Sequence, residues 1–231
     1  DGKLALLQHD PAGNGRVWPQ RFTVRSVAEG IFPLLTIDSA AAVTPLPDLP
    51  AGAARALLFN ADGMGYGLFP ADPDLLGRWD ILRPVERGSA LVTLYERLLA
   101  GSLQEVEAYL AALLAILETE ENQLLLDLAM GQLSRIYRSL LPEAAQARHR
   151  PRLERVLWQR LRAETGGGRA RLFFEGFAGL AGSPEAVSQL HAIWSRELTP
   201  GQLRLAEDDF VALAPTLALR MPGASITSPL P

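Results

Sequence analysis

"RALLFNADGMGYGLFPADPD", residues 55–74, is the stretch whose reading decides the fold. An apolar run ends at Asn60, Asp62-Gly63 marks a tight turn, and a second run starts at Gly65. That order predicts a β-hairpin over 55–69. Asp72-Pro73 then pairs a helix N-cap residue with proline at the first helical position. The segment therefore reads as a junction, at 68–73, where strands hand over to helices.

Upstream of it, period two dominates. In "RFTVR" Phe22 and Val24 share one face and Arg21, Thr23 and Arg25 the other, which predicts a half-buried strand. "LLTID" sets Leu35 and Ile37 in the same pattern, and "LALLQ" and "RALLFN" are short apolar runs suited to packed strands. "TPLPDLPAG" (44–52) carries three prolines and reads as a loop. About five or six short strands with such turns predict a small β-sandwich.

Downstream the period becomes helical. Ser183-Pro184 and Thr199-Pro200 repeat the N-cap and proline signal of Asp72-Pro73. "SLQE" at 102–105 reads as a capping box, Ser102 with Glu105. The helix it opens would carry Leu103, Val106, Leu110, Leu113, Leu114 and Leu117 on one stripe. A second stripe runs Leu126, Met130, Leu133, Tyr137, Leu140 and Leu141, and stops at Pro142. Further helices are predicted over 85–100, 152–164, 169–181, 185–196 and 202–220. Helices of ~12–20 residues with short connections stack as αα-hairpins. The expected fold class is α+β in two domains. A small β-sandwich (1–70) is followed by an all-α, HEAT-like superhelical domain (71–231).

Composition narrows the function classes. The chain has 231 residues, 48% of them apolar, enough to bury a sizeable core. A net charge of −4 gives no reason to expect nucleic acid as a partner. Without cysteine, disulfides, thiolate catalysis and cysteine zinc sites are excluded. No apolar run reaches the ~20 residues of a membrane span, so none is expected. The N-terminus lacks signal-peptide character and a starting methionine, and reads as a cut inside a longer chain. The compartment stays open between cytoplasm and periplasm, with cytoplasm slightly favoured.

The sequence carries no catalytic motif. His9, His149 and His191 are followed by Asp10, Arg150 and Ala192, so none begins H-E-x-x-H and no two have local zinc-ligand spacing. They read instead as a strand-end histidine, one beside a proline-marked loop, and one on a helix face next to the core. "GGG" at 166–168 is followed by Arg169-Ala170, where a P-loop needs lysine and a hydroxyl, and reads as a linker. Glu207-Asp208-Asp209 point ~100° apart on a helix and suit its positive N-terminal end better than a cation. Asn60 and Asp62 read as turn residues, and Ser89 sits inside a helix with no G-x-S-x-G around it. Trp18, Trp79, Trp158 and Trp194 read as packing anchors. Neither catalytic residues, nor a cofactor, nor a metal site is expected in this chain.

Several phrases nevertheless point to one family. "LLQHDPAGNGRVWPQRFTVR" (6–25) resembles strands of the β-sandwich that follows the catalytic domain in gluzincin zinc aminopeptidases, the membrane alanyl and puromycin-sensitive aminopeptidase family. "LLFNADGMGYGLF" (57–69) is similar to that family's N-x-D-G-x-G-Y hairpin, and "RPVERGSALVTLYERLLAGSL" (83–103) to its first long helices, with Arg87 at a family arginine. "ETEENQLLL" (118–126), "LERVLW" (153–158), "LHAIW" (190–194) and "LRLAEDDFVALAPTLALRMP" (203–222) resemble a bacterial branch. The likeness spans essentially the whole chain in the family's order. The usual G-Y-Y-R-V of the hairpin is replaced by Gly65-Tyr66-Gly67-Leu68-Phe69, so no role for that arginine carries over.

The resemblance implies a C-terminal, non-catalytic part of an enzyme that removes N-terminal residues from peptides. The family's zinc ligands, general base and substrate loop lie upstream and are not in this chain. Its partners would be an upstream catalytic domain of the same polypeptide, holding the zinc, and a peptide substrate. The helical domain would form a wall and gate of the substrate chamber. Arg135, Arg138, Arg155 and Arg162 recur on helices in the middle of the array and are the candidates for holding a peptide carboxylate by paired N–H bonds. The alternative is a catalytically inactive helical-repeat scaffold for protein–protein interaction.

Overall fold

Alternation builds the sheets. Strand β1 (Ala5–Leu7) pairs antiparallel with β4 (Val43–Pro45). In a second sheet β2 (Gln20–Ser26) lies between β3 (Leu35–Ser39) and β5 (Leu57–Phe59), again antiparallel. The structure is a computed structural model that describes residues 4–27, 34–46, 57–165 and 167–221. Register places Phe22 opposite Ile37 and Val24 opposite both Leu35 and Phe59, so the period-two faces of the two runs meet. Leu57 and Phe59 join Phe22, Val24, Ile37 and Phe69 in one cluster, while Leu58 turns to Val27, Ala61, Leu75, Leu82 and Ala90. Burial on both faces is why β5 reads as an unbroken apolar run.

The expected hairpin does not form. Residues 55–56 lie outside the described residues, β5 pairs with β2, and no strand follows through Gly65–Phe69. Asn60 is the reason. It adopts a left-handed φ of 55°, and its side-chain amide donates to the Gly65 carbonyl (3.0 Å) while accepting the Gly65 N–H (2.6 Å). One side chain thus satisfies both backbone groups of Gly65, and Gln20 Oε1 accepts the Tyr66 N–H (2.8 Å), so side chains take up groups that a second strand would have paired. Met64, Tyr66 and Leu68 are left exposed. Of the two turn glycines, Gly63 has the left-handed φ of 72°, whereas Gly65 is required by crowding. The loop expected over 44–52 is also corrected at Thr44–Pro45, which extend β4; residues 47–52 lie outside the described residues.

Between β1 and β2 the chain is tied by side chains. Gln8 accepts the Trp18 N–H (2.9 Å) and donates to Ser39 Oγ (2.7 Å). Asp10 accepts N–H groups of Ala12 and Asn14 (3.0 Å each) and Arg16 (3.2 Å). Burial works to raise the Asp10 pKa, but the Arg16, Ala12 and Asn14 donors, with His9, hold it below the ordinary 3.8. A depressed carboxylate stabilises the fold above the unfolded value, and that contribution is lost as pH falls through the folded value. The difference in melting temperature between the parent and Asp10→Asn should therefore be full at pH 7 and shrink below pH ~4. A difference that is flat with pH would contradict this account.

The handover to helix follows Asp72, whose carboxylate accepts the Asp74 N–H (3.0 Å). A 3₁₀ stretch, Pro73–Ile81, kinks at Arg78 before α1 (Pro84–Leu99). Arg87 donates to the Trp79 carbonyl (2.9 Å) and lies over the Trp79 ring. Ser89 donates to the Asn60 carbonyl (2.6 Å). Contacts group the chain into two compact units, Asp1–Glu105 and Val106–Pro231, so the change from strand to helix falls inside the first.

The second unit is helical: α2 (Val106–Thr119), α3 (Gln123–Arg135), a π-helical turn (Ile136–Leu140), α4 (Glu143–Ala163), α5 (Gly167–Leu180), α6 (Pro184–Trp194) and α7 (Glu207–Arg220). Packed neighbours include α2 with α3, α4 with α5, and α6 with α7. The α2 stripe Leu110, Leu113, Leu114 and Leu117 is wholly buried. Several boundaries differ from expectation. Ser102 donates to the Arg97 carbonyl (3.1 Å), closing α1, and does not cap α2. Helix α4 begins nine residues before the expected 152 and runs through Pro151, because Ala145, Leu153, Val156, Leu157 and Leu161 bury along both sides of it. Gly167 and Gly168, expected in a linker, open α5; Gly166 lies outside the described residues. No helix starts at Thr199-Pro200; α7 starts at Glu207, where Asp209 reaches back to the Ala206 N–H (2.7 Å). The π turn carries Leu140 out of the second stripe, leaving it 39% exposed.

Candidate functional site

The four arginines expected to face a substrate chamber do not share one surroundings. Arg135, Arg155 and Arg162 are exposed on α3 and α4 and make no hydrogen bond or ion pair among the described residues. Arg138 is different. It sits on the π turn, where an i+5 bond from the Leu141 N–H to the Ile136 carbonyl (3.1 Å) widens the helix. Its Nη2 donates to the Gly179 carbonyl at the end of α5 (3.0 Å).

Two further arginines, which sequence reading missed, meet it there. Arg220, in the last turn of α7, donates to the Ala178 and Gly179 carbonyls (2.9 Å each). Arg150, on α4, donates from Nε to Tyr137 Oη (3.3 Å), and its guanidinium lies beside Gly182. The last carbonyls of a helix lack intrahelical donors and carry partial negative charge, which draws cations to the α5 terminus. Glu154, 8% exposed, is the acidic member of the corner. Its carboxylate faces the start of α6, accepting N–H groups of Gly182 (2.7 Å) and Ser183 (2.9 Å). Burial lowers the Arg220 pKa from its ordinary value, and Arg138 and Arg150 add to the lowering, while Glu154 opposes it.

Several other cations of the helical unit are paired. Arg160 bonds Glu164 (2.8 Å), and Arg169 bonds Glu164 (2.9 Å) and Glu121. Arg171 holds Asp209, so the acidic run at the start of α7 serves its own helix and α5. Glu107 bonds His149 Nε2 (2.8 Å) and Arg148 (2.7 Å). His149 lies within α4, which corrects the expectation of a loop beside it. The His149 contact lowers the Glu107 pKa against the pull of burial, with Arg148 adding to the effect. His191 packs on the Trp194 ring (5.9 Å) and His9 is exposed on the other unit. Among the described residues no group of three or more histidine, aspartate and glutamate side chains is placed to hold a metal ion. No described helix is long and apolar enough to cross a membrane.

No signal in the sequence joins Arg138, Arg150 and Arg220, because they come from three separate elements. Comparison with known proteins adds no identity: no protein-family model and no curated protein matches the chain.

Proposed function

We propose that this chain is the non-catalytic C-terminal part of a zinc aminopeptidase, a β-sandwich spacer followed by a HEAT-like helical domain that walls and gates the substrate chamber. The observation that supports this reading is the ordered set of family-like phrases from Leu6 to Pro222. Their order matches a chain whose described strands precede its long helices. On this reading the zinc and its ligands belong to an upstream catalytic domain of the same polypeptide. The peptide enters beneath the helical domain with its free N-terminus leading.

The test has two arms. The isolated chain should bind no stoichiometric zinc and hydrolyse no aminoacyl-anilide, since His9, His149 and His191 are spread over separate surroundings. Joined to the reading frame that precedes it, the chain should form an enzyme whose turnover is abolished by a chelator and restored by zinc. An upstream frame without H-E-x-x-H and a later glutamate would overturn the proposal in favour of a non-catalytic scaffold.

A further inference from the structure

We propose that Arg138, Arg150 and Arg220 form a binding site for a phosphate-class oxyanion at the corner between α5 and α6. The inference is independent of the proposed aminopeptidase reading, since it rests only on the geometry of the helical unit. Three guanidiniums from three elements collect here, and among the described residues none of them makes an ion pair. Arg138 and Arg220 share a single acceptor, the Gly179 carbonyl, which brings like charges together at one oxygen. Like charges at such a distance repel, and a helix C-terminus carries only about half an elementary charge to offset them.

Glu154, the acidic member of the corner, offsets the cluster only in part, acting on Arg220 and Arg150. Glu154 spends Oε1 on the Gly182 and Ser183 N–H groups, and is not within ion-pair reach of any of the three arginines. Glu143, at the exposed start of α4, also acts on Arg150 without reaching ion-pair distance. Positive charge is therefore in surplus at this corner.

Donors are in surplus as well. A guanidinium carries five N–H groups. Arg138 uses one hydrogen bond to protein here, Arg150 one and Arg220 two. Gly179 leaves room for the Arg138 guanidinium, and Gly182 lies against that of Arg150. A Cβ at Gly179 would fall 2.7 Å from Arg138 Nη2, and one at Gly182 would fall 3.5 Å from Arg150 Nε. The π turn that carries Arg138 is a costly local geometry of a kind that recurs at functional sites.

The ligand class follows from the number and charge of the forks. A planar carboxylate presents two oxygens and one negative charge, which one guanidinium satisfies. A tetrahedral phosphate presents more acceptor directions and up to two charges, which suits guanidiniums arriving from three elements. No bond is made or broken in this assignment; it is a binding site.

The experiment uses the full 231-residue chain, titrated at fixed ionic strength and pH 7.5 with inorganic phosphate, O-phosphoserine and acetate. Arginine Nε–Hε resonances report the site directly. Phosphate and O-phosphoserine should shift the signals of Arg138, Arg150 and Arg220 with half-saturation on the order of 1 mM. Acetate should bind at least tenfold more weakly. Arg138→Gln and Arg150→Gln should each weaken phosphate about tenfold, and Arg135→Gln and Arg155→Gln, which change exposed arginines without partners among the described residues, should leave it unchanged. Tighter binding of O-phosphoserine than of phosphate would locate the ligand on a phosphorylated chain; equal binding of both probes would assign the phosphate group itself. No shift in the three resonances up to 20 mM phosphate, acetate binding as well as phosphate, or equal losses in the Arg135 and Arg155 controls would overturn the assignment. Each variant's melting temperature separates loss of the site from loss of the fold.

Discussion

Replacing Phe173 by alanine should lower the stability of the helical unit by about 3–5 kcal/mol, the largest effect expected of any single truncation here. Phe173 on α5 is fully buried, and its ring also carries the Arg160 guanidinium 4.8 Å from its centroid. Arg160 in turn donates to the carbonyls of Leu117 (2.8 Å) and Glu120 (3.0 Å), where α2 ends. Losing the ring therefore opens a cavity and also removes the surface on which that arginine rests. Chemical denaturation should show a lower midpoint for the helical unit. Phe173→Leu, which keeps most of the volume, should recover more than half of the loss. Equal midpoints for the parent and Phe173→Ala would mean that the α4–α5 core is not the main store of stability.

Gly65→Val should be the most damaging change in the first unit, at about 3 kcal/mol, because overpacking is added to a lost turn. A Cβ there would meet Phe69 Cζ at 2.7 Å, Asn60 Oδ1 at 3.0 Å and Phe22 Cβ at 3.2 Å. Phe22 and Phe69 stack edge to face with centroids 5.0 Å apart, so neither ring can retreat without opening the sheet core. Gly63→Val is a contrasting control. A Cβ at Gly63 meets nothing within 4 Å, so only its left-handed φ of 72° is strained, at a cost of about 1–3 kcal/mol. The two variants should rank in that order by thermal melting. The reverse order would place backbone strain, not packing, in control of this turn.

The sheet strands were the most legible elements, because "RFTVR" and "LLTID" alternate and each has one buried face. The turn at Asn60–Gly65 reads as a hairpin for a specific reason. Asp62-Gly63 between apolar runs has the composition of a hairpin, but pairing was decided by a side chain, and no periodicity reports that. Pro151 reads as a boundary on local propensity alone, whereas the packing of α4 against α5 and α2 holds the helix through the proline. Thr199-Pro200 shows the opposite failure, a good start signal with no apolar stripe behind it until α7. Arg138 was legible only as one of several recurrent arginines. Its partners Arg150 and Arg220 come close through tertiary packing alone, which a chain without a repeating pattern does not advertise.

The Asn60 amide concentrates the specification of a whole turn in one residue. A ladder of backbone bonds spreads its information over many positions and survives the exchange of any one of them. Here the pairing of Gly65 depends on a single side chain of one length and one chemistry, in a left-handed conformation that asparagine tolerates better than most residues. The side chains of Met64, Tyr66 and Leu68 are exposed and carry no such duty, although the Met64 and Tyr66 N–H groups donate to Asp62 and Gln20. Over many generations this short segment should accordingly hold its first residue fixed while its tip drifts, so that the surface it shows can be rewritten without altering the fold beneath it.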